Sequence, residues 1–392
     1  MRRRYSLTFY LAGATVARAG DEMSGPALML AGFALAGSTA DASALLAGIT
    51  ISAAVGGPVL GVLLDRAARP GRLLAGALAL YAVGLGAVLL GLGRVPFAVT
   101  ITIAVVTGLT GPALSGGWTA QLPRVVDGDR LPRANAFDAM TFGVASLAGP
   151  ALAGGVAQAV GARTAVVVAL MLIALALPAA WALPGRPGRP GRVRRAATLA
   201  AGLRVVAGRP ALARATLASV LSCVAQGMLM ACVPLLGERV LGGAGRGAVL
   251  LACAAGSALV ANAVLARFPR AVAPAAVIRA GALVQAAALA LAAWGQPVVL
   301  VAAALLAGLG EGPQLAALFA IRHREAPEHL RAQVFTTGAS VKLTGFALGA
   351  ALAGPLATRS LPTTLASAAC VAALAAFPCR GGLRAVPPAG AL

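Results

Sequence analysis

The sequence predicts an all-α polytopic membrane protein, with about twelve transmembrane helices in two pseudo-symmetric six-helix bundles. Three observations carry that expectation. The first is composition: of 392 residues, 59% are hydrophobic and only 11% charged, at a mean hydropathy of +0.88, whereas soluble domains carry about 25% charged residues. The second is that apolar runs of ~20 residues, the length a helix needs to cross a bilayer, recur from one end of the chain to the other. The third is a basic, proline- and glycine-rich stretch that divides those runs into two halves of similar length.

Taken in order, the runs cover roughly 7–36, 43–64, 73–93, 97–122, 134–158 and 163–183 before the divide, and 211–236, 245–267, 275–295, 297–321, 333–358 and 361–378 after it. Short arginine clusters separate most of them. Only Gly295-Gln296-Pro297 stands between the ninth and tenth, and the twelfth is barely long enough to span. The divide opens Pro184-Gly185-Arg186-Pro187-Gly188-Arg189-Pro190-Gly191-Arg192 and runs on through Arg194, Arg195, Arg204 and Arg209. Proline removes backbone donors and glycine adds chain entropy, so this opening cannot be a helix interior. Residues 1–183 are therefore assigned to an N-terminal bundle, 184–210 to a basic linker outside the membrane, flexible and attracted to anionic lipid, and 211–392 to a C-terminal bundle.

A net charge of +21 could point to nucleic acid, but that requires a basic face with reading side chains. Here the charge follows membrane topology. Arg2–Arg4, Arg66/Arg69/Arg72, Arg124/Arg130/Arg133, the linker, Arg267/Arg270, Arg322/Arg324/Arg331 and Arg380/Arg384 fall in one set of connections; the alternate set holds only Arg94, Arg163, Arg239, Arg246 and Arg359. Positive-inside bias places the rich set, the linker and both termini in the cytoplasm, as expected of a multi-pass protein of the cytoplasmic (inner) membrane. An even number of spans gives the same answer. A cleavable signal peptide is a poor reading of the first run, which is too long and is interrupted by Asp21-Glu22. The five cysteines form no CxxC and read as packed thiols. No Walker loop, serine elbow or zincin motif is present, which argues against an enzyme or an ATP-driven pump. His323, Glu325, Glu328 and His329 fall in a charged loop without an inward constellation, so no metal is expected.

The two halves echo one another. Gly108-Leu109-Thr110-Gly111-Pro112 resembles Gly308-Leu309-Gly310-Glu311-Gly312-Pro313, and Leu131-Pro132-Arg133-Ala134-Asn135 resembles His329-Leu330-Arg331-Ala332-Gln333, as a transporter built from two related bundles would show. Between the second and third spans lies Gly61-Val62-Leu63-Leu64-Asp65-Arg66-Ala67-Ala68-Arg69-Pro70-Gly71-Arg72. Its glycine permits close helix contact, and Asp65 can bind a neighbouring helix N-terminus or an arginine as a conformational latch, with Arg66, Arg69 and Arg72 around it. This stretch is similar to the cytoplasmic-loop signature of the major facilitator superfamily of secondary transporters, and the resemblance covers essentially the whole chain. It departs from the family pattern at Ala68 and Pro70. Gly149-Pro150-Ala151-Leu152-Ala153-Gly154-Gly155 in the fifth span looks like the glycine-proline signature that the family associates with export by antiport, with one residue more between Pro150 and the glycine pair. A proline kink and close glycine packing are its physical content.

The remaining chemistry lies in polar groups at membrane depth, where a charge costs roughly 2.5–3.5 kcal/mol on insertion scales. Asp21 and Glu22 fall near the middle of the first span with Arg18 on the same helical face; Glu311 is near the middle of the tenth and Lys342 well inside the eleventh. The family resemblance implies that the first, fourth, seventh and tenth helices line a central cavity, which would include Asp21, Glu22 and Glu311. Two readings stand: these acids bind a proton or a cationic substrate, or Arg18–Asp21 and Glu311–Lys342 are structural ion pairs. Local unwinding is expected around Glu311, flanked by Gly310, Gly312 and Pro313. Trp118, Gln121, Gln226 and Gln314, with Asn262 and Gln285, are cavity candidates that helix–helix hydrogen bonds explain equally well. Asp138, one turn beyond Arg133, is expected near the cytoplasmic interface.

The functional expectation is secondary active transport of a small, amphipathic molecule by alternating access, most simply proton-coupled export by a monomer that needs no cofactor beyond a proton gradient. Its partners are a small-molecule substrate and the lipid bilayer, with no nucleic acid. Uptake by proton symport would use the same buried acids, and a non-transporting sensor or lipid-handling protein could keep the same scaffold. An aromatic content of 4% leaves few platforms for stacking aromatic compounds.

Overall fold

Glycine and proline punctuate the helices. The structure, a computed structural model, describes residues 5–36, 39–185, 199–243, 246–268 and 272–379. Arg2–Arg4, the linker arginines from Arg186 to Arg195, Arg270, Arg380 and Arg384 lie outside them. Among the described residues all regular structure is helical. The long helices are α1 (Leu7–Ala36), α2 (Thr39–Arg66), α3 (Pro70–Gly91), α4 (Phe97–Gly108), α5 (Leu131–Val160), α6 (Ala162–Leu175), α7 (Pro210–Leu241), α8 (Gly247–Arg267), α9 (Pro274–Ala292), α10 (Pro297–Glu325), α11 (Arg331–Arg359) and α12 (Leu361–Leu374). Four of them, α3, α7, α9 and α10, begin on a proline, whose missing N–H costs nothing at the first helical position. Gly161 between α5 and α6 (φ 102°) and Gly295 between α9 and α10 (φ 72°) adopt left-handed backbone that other residues resist.

Ten described segments are long and apolar enough to cross a membrane. They exclude α1, which carries Arg18, Asp21 and Glu22 at its centre, and α12, which is apolar but only 14 residues long. Two expected single spans are interrupted. The fourth breaks after Gly108 into a 3-10 turn (Gly111–Ala113), a short helix (Gly116–Thr119) and a second 3-10 turn (Leu122–Arg124). The sixth breaks after Leu175, where Pro178 opens the short helix Leu177–Trp181. By contrast α10 runs unbroken through Gly310, Glu311, Gly312 and Pro313. The unwinding expected around Glu311 is absent; the break falls in the matching glycine-proline stretch of the first half.

The chain folds as two compact units: Met1–Gly208 with Glu325–Thr344, and Arg209–Arg324 with Gly345–Leu392. They do not coincide with the two sequence halves, because α11 begins in the first unit and ends in the second. In the first unit α1 packs on α5 and α6, and α2 on α4; in the second, α12 packs on α7 and α9. The second unit's core joins Cys232, Leu236, Leu250, Leu289, Leu300 and Leu365 with many alanines. Without a hydrophobic drive between helices in lipid, small residues that let backbones approach supply the packing. The internal repeat is visible here. A side chain on Gly108 of α4 would overlap Ile49 and Ser52 of α2, and one on Gly308 of α10 would overlap Ala254 and Ser257 of α8. The same crossing is built twice, about two hundred residues apart.

The linker 184–210 ends in a helix, Leu199–Gly208, that buries Gly202 and Val206 against the first unit and exposes Leu203 and Arg204. It packs on α2.

Candidate transport site

Helix periodicity sets Arg18 and Glu22 of α1, four apart, against Asp138, Phe142, Ser146 and Gly149 of α5, spaced by three and four. Arg18 is 2% exposed and Asp138 is fully buried. Nη1 of Arg18 donates to Asp138 Oδ1 at 3.0 Å, to the Asp138 carbonyl at 3.1 Å and to Thr141 Oγ1. Its Nη2 donates to Thr119 Oγ1 at 2.8 Å, and Thr119 Oγ1 in turn donates to Asp138 Oδ2 at 2.8 Å. Nε reaches the Leu114 carbonyl at 3.3 Å, and the guanidinium carbon lies 3.7 Å from the centre of the Phe142 ring. The broken fourth span thus supplies a carbonyl and a hydroxyl to this centre. Desolvating two charges is tolerable only when their remaining donors and lone pairs are satisfied, and here they are.

This corrects one expectation. Arg18 pairs with Asp138, not with Asp21, and Asp138 is fully buried in the first unit. Sequence reasoning missed Asp138 as a partner; its signal is that it is the one acid in the apolar fifth span.

Asp21 and Glu22 are held by hydroxyls. Tyr81 of α3 donates to Asp21 Oδ1 at 2.8 Å, and Ser24 stands 3.2 Å from the Tyr81 hydroxyl while donating to the Asp21 carbonyl at 2.7 Å. Glu22 hydrogen-bonds Ser146 of α5. A Cβ on Gly149 would stand 2.6 Å from Glu22 Cβ and 2.8 Å from the Met23 nitrogen, so the absence of a side chain there lets α5 approach α1 at the level of Glu22. Pro150 follows within the unbroken α5. Gly154 and Gly155 face open space, with nothing within 4 Å of a Cβ on either. Only the first glycine of the glycine-proline stretch makes a close contact.

Trp118 and Gln121 lie in the irregular segment after α4 and are buried. The Trp118 carbonyl accepts from the Tyr10 hydroxyl at 3.1 Å, and Gln121 Nε2 donates to the Gly117 carbonyl at 3.1 Å. Among the described residues Trp118 Nε1 and Gln121 Oε1 have no hydrogen-bond partner. In the second unit Gln314 of α10 stitches helices together: its Nε2 donates to Ser222 Oγ of α7 at 3.0 Å and to the Ile278 carbonyl of α9 at 3.3 Å. Gln285 donates to the Ser222 carbonyl at 3.2 Å, and Gln226 is half-buried on α7. Glu311 is exposed on α10 in the second unit; Lys342 is half-buried on α11 in the part that belongs to the first. No cluster of three metal-ligating side chains occurs among the described residues.

The last turn of α2 places Asp65 against the N-terminus of α11. The Ala332 amide donates to Asp65 Oδ1 at 3.1 Å and the Gln333 amide to Oδ2 at 2.8 Å, with Asp65 3% exposed. A carboxylate on the unsatisfied amides of a helix start is stabilised by the helix dipole, by up to ~2 kcal/mol when partly buried. A side chain on Gly61, one turn earlier, would overlap Gln333 Cα and Thr336 Oγ1. Ser340, two turns into α11, donates to the Ala53 carbonyl at 2.8 Å. Arg66, Arg69 and Arg72 are exposed, and Arg72 lies 5.1 Å from the centre of the Trp181 ring.

Wholly helical regular structure among the described residues, ten membrane-length segments, paired helix crossings and a carboxylate seated on a distant helix start form the build of a polytopic membrane transporter. Residues 10–350 match the Major Facilitator Superfamily, and the chain belongs to that family. It is a membrane transporter and not an enzyme. An uncharacterized MFS-type transporter, y4rN of Sinorhizobium fredii (strain NBRC 101917 / NGR234), is 30% identical over 276 residues, which span 67% of this chain and 66% of that relative, just under two thirds of its length. Among solved structures, the human organic anion transporter MFSD10 (TETRAN) superposes with a TM-score of 0.78 at 16% identity, covering 97% of this chain and all of that one. A bacterial homologue of the iron transporter ferroportin in an outward-facing state gives 0.78 at 17%, covering 95% and 98%. FucP in the outward conformation gives 0.74 at 14%, covering 97% and 99%. At such identities the solved structures establish the shared fold.

Proposed function

We propose that this transporter exports a small, amphipathic molecule from the cell in exchange for protons, with Asp21 and Glu22 as the proton-carrying groups. One observation carries the reading: both carboxylates are bonded to hydroxyls, while the nearest cation, Arg18, is committed to Asp138. A hydroxyl donates to a carboxylate and accepts from a carboxylic acid, so it serves either protonation state, whereas a bonded guanidinium serves only the charged one. Glu311, on α10, is the acid of the second unit in the same role. Export follows from the likeness of Gly149-Pro150 to the family's antiport signature. In this reading the protein is a monomer of the cytoplasmic membrane with both termini in the cytoplasm, works by alternating access and draws on the proton gradient without a cofactor.

The test is proton flux in everted vesicles, energised and challenged with a panel of amphipathic compounds. Wild type should release protons on addition of a substrate. Asp21→Asn and Glu22→Gln should fall to the level of empty vesicles while inserting normally, and Glu311→Gln should lose coupling likewise. Full proton release in both α1 amides would end their assignment. Substrate accumulation in whole cells, driven by the same gradient, would reverse the direction to uptake.

A further inference from the structure

We propose that the linker helix, Leu199–Gly208, is a positioning element of the Asp65 contact and holds the first turn of α11 in place through Gly202 and Gln333. The proposal rests on reading the Asp65 contact as a conformational latch. Gln333 is fully buried, with its backbone and its side chain gripped by different elements. Its amide is bonded by Asp65, and its main chain lies against Gly61 of α2, whose Cβ would stand 3.0 Å from the Gln333 nitrogen. Its side chain lies against the linker helix: a Cβ on Gly202 would stand 2.6 Å from Gln333 Cγ and 2.9 Å from Cδ. Val206, one turn after Gly202, is buried on the same face, and Leu203 is 57% exposed on the other. The linker helix therefore meets α11 only because residue 202 has no side chain and residue 333 has a long, flat one.

The consequence follows from connectivity. The linker helix ends at Gly208, the last residue of the first unit's leading segment, and α7 begins at Pro210 in the second unit. Any displacement of α7 pulls on the linker helix and, through Gly202, on Gln333. α11 passes from one unit to the other between Thr344 and Gly345. Its first turns are thus secured by a charge-assisted contact at Asp65 and by a packing contact that moves with the linker. Loosening the packing weakens the latch even with Asp65 intact, because both act on one residue.

The test uses the full-length protein, reconstituted, in a background lacking its five cysteines, with Ser340→Cys as reporter. The readout is its rate of reaction with N-ethylmaleimide. Asp65→Asn, the latch control, should raise that rate. Gly202→Leu and Gln333→Ala should each raise it roughly fivefold or more, in the range of ordinary coupling energies, and the double variant should return to within about twofold of wild type because leucine fills the space that glutamine leaves. Gln333→Ala keeps the backbone donor to Asp65, so the proposal stays testable if Gly202→Leu does not fold. Faster labelling in Asp65→Asn with no change in Gly202→Leu or Gln333→Ala overturns the linker inference and leaves the latch standing. No change in Asp65→Asn sinks the latch reading and the inference with it. Single-variant increases without rescue in the double variant also overturn it, since they report loosened structure rather than a specific contact.

Discussion

Replacing Arg18 by methionine is expected to destabilise the folded transporter by about 3–5 kcal/mol, because Asp138 would be left buried without its cation. Asp138 has no exposed surface, and besides Arg18 its carboxylate meets only neutral hydroxyls, those of Thr119 and Tyr10, among the described residues. Asp138→Leu should be damaging for the mirrored reason: the guanidinium keeps Thr119, Thr141 and the Leu114 carbonyl but loses its counter-charge. The double variant Arg18→Met/Asp138→Leu should recover most of the loss, since a buried pair replaced by apolar side chains of similar volume is often neutral or stabilising. The check is thermal unfolding in detergent, followed by the loss of the monodisperse peak. A melting temperature unchanged in Arg18→Met would show that the pair does not secure α1 to α5. If the double variant is stable and still releases protons on substrate addition, the pair is structural and the first unit's proton path runs through Asp21 and Glu22 without it.

The second large effect is expected from a single glycine. In Gly149→Leu the new side chain would meet the Glu22 carbonyl carbon and the Met23 nitrogen at 2.8 Å. These are backbone atoms that cannot rotate away, so α5 must move off α1, at the 1–3 kcal/mol or more typical of overpacking. Displacement should also pull Ser146 from Glu22 and lower coupled transport. Gly155→Leu, six residues along in the same signature, should do the opposite: a Cβ there meets nothing within 4 Å, and replacing an interior helical glycine stabilises by up to about 1 kcal/mol. Expression level and melting temperature of the two variants, measured side by side, decide the matter. Equal tolerance of both would mean that the close approach at Gly149 is not required.

The sequence carried the architecture because bilayer physics is local. Each run must satisfy its own backbone hydrogen bonds, so length and apolarity alone announce a helix, and proline and glycine announce where it starts and stops. Asp65 was legible for a similar reason: an acid at the end of an apolar helix has few partners, and another helix's start is one of them. Periodicity also placed Arg18, Asp21 and Glu22 on one helix. It could not choose among Arg18's partners, since an acid three or four residues away on the same helix and one on a facing helix look alike in a one-dimensional reading.

Tertiary structure decided that choice and three others. Arg18 turns to Asp138 because α1 lies against α5, where Thr119, Thr141 and Phe142 complete its surroundings. The fourth span breaks at Gly108–Pro112 while its counterpart Gly308–Pro313 stays helical, although both are rich in glycine and proline. In the second, Gly308 and Gly312 are enclosed by α8 and Gly310 by α9, so neighbouring helices hold the segment helical. α11 divides between two compact units, which no count of spans reveals. Gly202 meets Gln333 across more than a hundred residues of chain. The sequence by itself determined the class, the order of the apolar runs and the identity of the polar groups within them. Which of those groups meet was settled only by packing, because helix contacts in a membrane depend on facing surfaces that lie far apart along the chain.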